Sequence, residues 1–265
     1  MNSVTRPWEG CWQVIYDDLD EEIISYPPLF TTMSLRRSGL SIYTSNFFIE
    51  IRTASGRTPP AGWPATEAET IAGFKSASAH GGSCRWRTVS DGFEVEHIPT
   101  MSHDPKVSGR AFRYSVLIDG DVARVKRTGN DGRSEDEVWR RLSGAGSSPL
   151  AGAWESESDG QRWLYLVTAG HFGVMRQKQN RVISTDVELS DREIAEIARE
   201  TSANAGARLE TGVSFDHWPM ITTGTPGTID CRKHETFRIV AIENSVFVAA
   251  LKLDATDATE WRRLQ

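Results

Sequence analysis

An internal repeat constrains the possible folds of this chain more than any other feature of the sequence. Gly-Cys-Trp at 10–12 recurs as Gly-Ala-Trp at 152–154, and Trp-Arg-Arg-Leu at 139–142 recurs at 261–264. Each Gly-x-Trp opens a unit and each Trp-Arg-Arg-Leu closes one, so the two motifs keep the same order in both halves. The sequence therefore predicts two homologous units in one chain.

Each unit combines one short helix with many short strands. Thr66 to Glu69 and Ser190 to Glu193 both match a capping box, which marks the start of a helix. Most of the remaining chain reads as short apolar runs divided by turn sequences such as Ser-Asp-Gly at 90–92. A unit of this length can close a barrel of about eight antiparallel strands around one small ligand. We expect an all-β fold of two tandem antiparallel β-barrels, with one short helix in each repeat.

A Gly/Ser-rich segment separates the two units. Residues 144–149 read Gly-Ala-Gly-Ser-Ser-Pro, a composition that is typical of flexible connections between domains. The predicted domains are an N-terminal barrel at 1–143 and a C-terminal barrel at 150–265.

Composition and charge argue against several classes of protein. The formal net charge is −6 and no basic block exceeds two residues, so the electrostatic footprint of nucleic-acid binding is missing. The sequence has no apolar run of about 18 residues that would span a membrane, and its first residues lack a signal-peptide core. Cys11, Cys84 and Cys231 are far apart and odd in number, which argues against a disulfide framework. We expect a cytoplasmic monomer or homodimer without a nucleic-acid or membrane partner.

Cofactor motifs are absent from the sequence. It has no P-loop, no Gly-x-Gly-x-x-Gly before a helix, no His-x-His and no His-Glu-x-x-His. We therefore expect no nucleotide, no metal and no other cofactor, with haem ligation by an inward histidine left as an alternative.

Two histidines are the leading candidates for chemistry. Strand alternation places His97 on the same face as Phe93 and Val95, so it is predicted to point into the first barrel. The same count places His217 beside Phe215 on the inner face of the second barrel. An inward histidine with a pKa near neutrality can act as a general acid or base. The alternative is a histidine that only plugs the barrel and is hydrogen bonded to backbone or water.

Two arginines, a serine and a tyrosine complete the predicted pockets. Arg113 and Ser115 share one strand face, which we interpret as a pocket wall, and Arg238 is the counterpart arginine in the second half. A buried arginine beside a histidine would bind a carboxylate or an enolate, whereas the alternative is a surface arginine. Tyr43 can donate its phenolic proton to a ligand oxygen, and its counterpart in the second half is Val167.

Further histidines lie in less informative settings. His103 is interpreted as part of a solvated loop or, alternatively, of a lid over the ligand. His171 lies in a probable strand bend, where it is either a turn residue or a ligand contact. His80 and His234 are surrounded by polar residues, and no role is predicted for them.

Gly-x-Trp on a first strand, with an arginine near the last strand, resembles the calycin or lipocalin superfamily. More narrowly, the first half resembles the bacterial lipocalin-like domain proteins. The stretches that carry this resemblance are 39–44, 95–97, 102–109 and 113–121. The chain departs from the family at Glu96-His97 and Asp216-His217, where the family usually has two adjacent histidines.

The resemblance implies that a tryptophan closes one end of each barrel while an arginine packs across it. Trp12 and Trp154 are the matching tryptophans, and Arg141 and Arg263 can cover their faces by cation–π contact. We therefore interpret both tryptophans as structural rather than as ligand-stacking groups.

Two functions follow as hypotheses. The first is a cofactor-independent enzyme that acts on a small hydrophobic carbonyl compound, or a natural-product or catabolic intermediate, as an isomerase, cyclase or lyase. His97 would move a proton, Arg113 would stabilise an oxyanion and Tyr43 would orient the substrate, while His103, Ser115, His171, His217 and Arg238 are predicted ligand contacts. This richer polar set favours the N-terminal barrel.

The second hypothesis is a non-catalytic binding or carrier protein for a hydrophobic small molecule.

Overall fold

The computed structural model describes most of both repeats. The described residues are 6–15, 38–54, 57–58, 60–62, 64–105, 107–128, 134–180, 189–223, 235–243, 245–251 and 258–265.

The first repeat forms a closed barrel of eight antiparallel strands, and each strand pairs with its neighbours in chain order. A helix, α1, crosses from β3 to β4, and β8 closes the barrel by pairing with β1. The elements are β1 Gly10–Ile15, β2 Ser38–Thr44, β3 Phe47–Thr53, α1 Glu67–Lys75, β4 Ala77–Val89, β5 Gly92–Ser102, β6 Phe112–Asp119, β7 Val122–Thr128 and β8 Ser134–Gly144.

The second repeat forms another closed eight-strand barrel with the same order and a helix, α2, at the matching place. Its elements are β9 Gly152–Ser158, β10 Gln161–Val167, β11 His171–Lys178, α2 Asp191–Glu200, β12 Thr201–Glu210, β13 Ser214–Thr222, β14 Glu235–Glu243, β15 Val246–Leu251 and β16 Ala258–Arg263. The predicted all-β fold with two tandem barrels is confirmed, and the architecture fits a lipocalin-like barrel. The predicted division of the chain into domains stays a prediction.

Both predicted capping boxes are present at the helix starts. The Thr66 and Ser190 hydroxyls accept from the backbone N–H three residues later, and Glu69 and Glu193 accept from the cap backbone in return. Neither helix is long and apolar enough to cross a lipid bilayer, in the part of the chain that the structure describes.

A tryptophan and an arginine close one end of each barrel, as predicted. The Arg141 guanidinium lies 4.2 Å from the ring centre of Trp12, and Arg263 lies 4.2 Å from that of Trp154. Gly10 is required beside the first of these pairs, since its φ is +139° and a Cβ there would meet the Ser143 carbonyl oxygen.

The outer faces of the two barrels share one hydrophobic core. Apolar side chains of β2 and β3 pack against those of β10 and β11, among them Leu40, Ile42, Ile49, Leu164, Leu166 and Met175, all nearly inaccessible to solvent. Gly173 allows this close approach, because a Cβ on it would lie 2.9 Å from the Ile42 Cδ1. Arg57 adds a polar link, since it donates to the Thr222 carbonyl across the interface at 2.7 Å.

Enlarging Gly173 tests this shared core. We expect Gly173→Leu to lower the free energy of unfolding by about 1–3 kcal/mol, because the added side chain overpacks the contact with Ile42. Gly170→Leu is the matched control, since a Cβ at Gly170 has no heavy atom within 4 Å. Urea denaturation measures both, and equal stability of the two variants would contradict the proposed packing.

Candidate functional site

The second barrel encloses a cavity of about 430 Å³. This volume lies within the usual range for small-molecule pockets, which is about 300–1,000 Å³. Aromatic side chains are the largest group in its wall, and they are Trp163, Tyr165, Phe172, Phe215, Phe237, Phe247 and Trp261. The cavity reaches the exposed residues Ser158 and Glu235. It is therefore a largely apolar pocket with access from solvent.

A hydrogen-bonded histidine and tyrosine form the polar centre of this wall. The Tyr165 hydroxyl lies 2.7 Å from Nε2 of His217, and both side chains are buried. The imidazole stacks on Phe172 with ring centres 3.7 Å apart and planes at 6°. Stacking on one side and the hydrogen bond at Nε2 together fix the ring orientation.

Arg208 stands behind this pair on the neighbouring strand. It is opposite His217 in the β12–β13 register, it is 7% exposed, and it forms a 2.9 Å ion pair with Glu210. Its guanidinium also lies 4.7 Å from the ring centre of Phe215. A positive charge is therefore held within reach of the Tyr165–His217 pair.

Burial and this charge fix the protonation states. Burial holds the pKa of His217 well below its usual value, and the Arg208 charge lowers it further. Burial raises the pKa of Tyr165 to about 12, although the charge of Arg208 acts in the opposite direction. When the phenolic O–H donates to Nε2 of His217, the neutral imidazole carries its proton on Nδ1 and can donate it to a ligand.

Three polar atoms of described cavity-lining residues are buried without a hydrogen-bond partner. They are two donors, the indole Nε1 of Trp163 and Nε of Arg176, and one acceptor, Oδ1 of Asn204. Buried polar atoms are nearly always paired, so these three atoms are further contact points for a polar ligand group.

The described large side chains pack more tightly inside the first barrel than inside the second. Trp12, Tyr43, Phe48, Tyr114 and Trp139 are all at most 2% exposed, whereas Trp163, Phe237 and Trp261 in the cavity wall of the second barrel are partly exposed. The packing therefore favours the second barrel as the working pocket, against the sequence-based preference for the first.

The centre of the first barrel repeats the histidine–tyrosine design. The Tyr43 hydroxyl lies 3.0 Å from Nε2 of His97, and His97 stacks on Phe48 with ring centres 3.7 Å apart. Burial lowers the pKa of His97 to about 3, so its imidazole is neutral at physiological pH.

Glu50 and His80 accompany His97 in the same interior. One potential ligand atom from each of the three residues lies within 4.8 Å of the others. Glu50 accepts from Nε of Arg52 at 2.7 Å, and Arg52 also forms a bidentate pair with Glu137, 2.9 Å from NH2 to Oε2. These three residues are the group in the described chain that could hold a metal ion.

The protonation states of this group follow from burial and charge. Burial raises the pKa of Glu50, but Arg52 and the two histidines outweigh it and hold the pKa at about 2. Burial lowers the pKa of His80, although the Glu50 charge acts in the opposite direction. Glu50 is therefore ionised and both imidazoles are neutral near pH 7.

His97 and His217 point into their barrels, as strand alternation predicts, and are 0% and 6% exposed. Tyr43 is 1% exposed and lies inside the first barrel as well. Val167 is the register counterpart of Tyr43, since each lies opposite the glycine that opens its barrel. The tyrosine that reaches His217 is instead Tyr165, two residues earlier on the same face.

The predicted inward orientation of Arg113, Ser115 and Arg238 is wrong. The Arg113 side chain is 81% exposed and pairs with Glu96 at 3.0 Å on the outer face of β5 and β6. Ser115 and Arg238 are exposed as well. The physical reason is that Tyr114 and Val116 carry the apolar face of β6, and this face fills the barrel.

His103 and His171 are buried outside both barrel interiors. His103 packs against Phe74 of α1 with ring centres 3.7 Å apart, so neither a solvated loop nor a lid describes it. His171 Nδ1 lies 2.9 Å from the Ser143 hydroxyl, between the repeats, and burial lowers its pKa to about 4. Neither lines the cavity of the second barrel.

Sequence reasoning missed Glu50, His80 and Arg208. Glu50 and Arg208 each stand between two apolar residues of a strand, which is the signal that would have pointed to them. Glu50 lies 30 residues before His80, and only the β3–β4 register shows that they are neighbours.

Comparisons with known proteins identify no family for this chain. The sequence matches no protein-family model and no curated protein sequence. A solved structure of an uncharacterized Saccharomyces cerevisiae protein, YLR301w, is similar with a TM-score of 0.45 and 10% identity. The alignment covers 87% of this chain and 91% of that one.

The neutral buried histidines predict acid-sensitive stability. A histidine whose pKa is lowered by folding binds protons better in the unfolded chain, so stability falls as pH drops below about 6.5. Each such group costs up to about 1.4 kcal/mol per pH unit until its folded pKa is reached, which for His97 is about 3. We expect His217→Phe to lose less stability than wild type between about pH 6.5 and pH 5, by up to about 2 kcal/mol.

Urea denaturation at the two pH values measures this difference. Ser115→Ala, on the exposed outer face of β6, is the control and should keep the wild-type pH dependence. A His217→Phe variant with the full wild-type dependence would show that His217 is not held neutral by folding.

Proposed function

We propose that the second barrel binds a small, largely apolar molecule that carries a carbonyl oxygen. The observation that carries this proposal is the aromatic cavity of about 430 Å³ with the Tyr165–His217 pair in its wall. Burying an apolar ligand against such a wall supplies affinity, while a few fixed polar groups supply orientation.

The polar partner of the ligand is the Nδ1–H of His217. Burial and the Arg208 charge keep the imidazole neutral, and with the Tyr165 hydroxyl donating to Nε2 it has this one proton to donate. A neutral donor suits an uncharged carbonyl oxygen, because no full charge is desolvated when the ligand enters. The ligand class that we inferred from the sequence is kept, and the site moves from the first barrel to the second.

The resemblance of the first half to bacterial lipocalin-like domain proteins supports the same proposal. Small barrels of this kind enclose one small ligand, and the second barrel has such a space. A cytoplasmic location is part of the proposal, since the buried Cys11 and Cys84 are both free thiols.

The second candidate is the isomerase, cyclase or lyase activity, now located at the second barrel. Glu235 lines the cavity and lies opposite His217 in the β13–β14 register. Its carboxylate could take a proton from the carbon beside the carbonyl, while His217 donates to the developing enolate oxygen. His217 itself is a weak base because burial and Arg208 keep its pKa low.

A ketone and its matching hydrocarbon test the proposed binding. Displacement of 1-anilinonaphthalene-8-sulfonate measures the affinity for 2-acetylnaphthalene and for 2-ethylnaphthalene. We expect the ketone to bind roughly 2- to 10-fold more tightly, which is the usual worth of one hydrogen bond. His217→Phe should remove this preference and keep the affinity for the hydrocarbon.

Tyrosine variants of the two barrels provide a matched control. Tyr165→Phe should reduce the preference for the ketone, because His217 loses its partner, whereas Tyr43→Phe in the first barrel should not change it. Binding that is unaffected by His217→Phe, or that responds to Tyr43→Phe alone, would overturn the location of the site.

Hydrogen exchange separates catalysis from binding. If Glu235 is a base, NMR in D₂O should show faster deuteration of the 2-acetylnaphthalene methyl group with wild type than with Glu235→Gln. Exchange no faster than in buffer, together with the expected binding, would eliminate this enzymatic candidate and retain the carrier function.

A further inference from the structure

We propose that Glu50, His80 and His97 of the first barrel form a binding site for one divalent transition-metal ion. The proposal stands on three buried ligand atoms that lack hydrogen-bond partners, on residues that each bring a ligand atom within 4.8 Å of the others. It concerns the filled barrel and is independent of the cavity in the second barrel.

The unpartnered atoms are the ones that a metal would use. Glu50 Oε2, His80 Nε2 and His97 Nδ1 are each buried without a hydrogen bond, while Glu50 and His97 are 1% and 0% exposed. Leaving such atoms unpaired is costly, and the great majority in native structures have a partner. Three unpaired atoms in one cluster therefore indicate a missing common partner.

A cation is the partner that satisfies all three atoms together. Two of them, a carboxylate oxygen and an imidazole nitrogen without a proton, can only accept. His80 can present its Nε2 as an acceptor in one tautomer, so a single electron-pair acceptor suits all three. Two imidazoles and one carboxylate are the ligand set of Zn²⁺ and of open transition-metal sites.

The remaining atoms of the ligands are already oriented by a second set of contacts. Nε2 of His97 can donate to the Tyr43 hydroxyl at 3.0 Å, which leaves Nδ1 free of a proton. Oε1 of Glu50 accepts from Arg52, whose charge is offset in turn by Glu137. Partners of this kind fix the tautomer and orientation of metal ligands.

The distances are compatible with a metal after side-chain shifts of less than about 1 Å. One ligand atom from each of the three residues lies within 4.8 Å of the others, whereas ligands about 2.1 Å from a tetrahedral Zn²⁺ are about 3.4 Å apart. A shift of up to about 0.8 Å by each side chain closes the difference. The buried Tyr114 hydroxyl also has no hydrogen-bond partner, and its ring lies 4.7 Å from that of His97. It can accept a hydrogen bond from water on the metal.

The second barrel shows that these residues are not required by the fold. Phe48 and Phe172 occupy equivalent positions, since each stacks on its barrel's central histidine and pairs with a glycine. Two residues further along, the first barrel pairs Glu50 with His80, whereas the second pairs Val174 with Asn204. The second repeat closes the same barrel without two of the three ligands.

Metal titration of tag-free, EDTA-treated protein tests the site. We expect wild type to bind one Co²⁺ or Zn²⁺ per chain, to show the visible absorption of protein-bound Co²⁺, and to unfold at a higher temperature with metal. His80→Asn, which introduces the residue of the second barrel, and Glu50→Gln should each weaken binding by more than about 100-fold.

His217→Gln, at the central histidine of the other barrel, is the control and should bind metal as wild type does. Far-UV circular dichroism confirms that each variant is folded. Failure of wild type to take up metal, or equal uptake by folded His80→Asn, would overturn the proposal. Neither outcome bears on ketone binding in the second barrel, which a separate titration measures.

Discussion

Each barrel is organised around an imidazole ring that is held by the same two contacts. His97 stacks on Phe48 and meets Tyr43 at Nε2, and His217 stacks on Phe172 and meets Tyr165 at Nε2. Burial keeps both rings neutral, so one nitrogen of each is left for another partner. What surrounds that nitrogen differs between the repeats, and this difference determines the function proposed for each barrel.

The two repeats differ in what their interiors contain: the first has buried charged residues, and the second has a cavity. The first barrel places Glu50, His80 and the Arg52–Glu137 pair within a packed interior. The second keeps apolar Val174 and small Ala249 in its wall and retains a cavity. The outer faces form the core between the barrels, where Gly173 allows the close approach. A tandem fold of this kind can use one interior for an apolar ligand and the other for a buried polar cluster.

The sequence predicted the architecture because the responsible signals are local. The Gly-x-Trp motifs, the capping boxes at Thr66 and Ser190, and the alternation around His97 each depend on neighbouring residues. The prediction for Arg113 is wrong because the apolar side chains of Tyr114 and Val116 decide which face of β6 turns inward, and Arg113 lies on the other face.

The polar clusters and the cavity could not be predicted in the same way. Glu50 and His80 meet through strand register, and Arg208 meets His217 across β12 and β13, so no spacing in the sequence reveals either pair. Whether a barrel is hollow depends on the summed volume of side chains from eight strands. Val125 in the first barrel, for example, has a larger side chain than Ala249 in the second.

The central claim is that the second barrel is hollow and apolar while the first is packed. Anomalous diffraction from a crystal pressurised with xenon tests it most directly, because xenon occupies empty apolar cavities whatever their natural ligand. The account predicts a xenon peak inside the second barrel, near Tyr165 and Phe247, and none inside the first. A peak within the first barrel, or a second barrel without one, would contradict it.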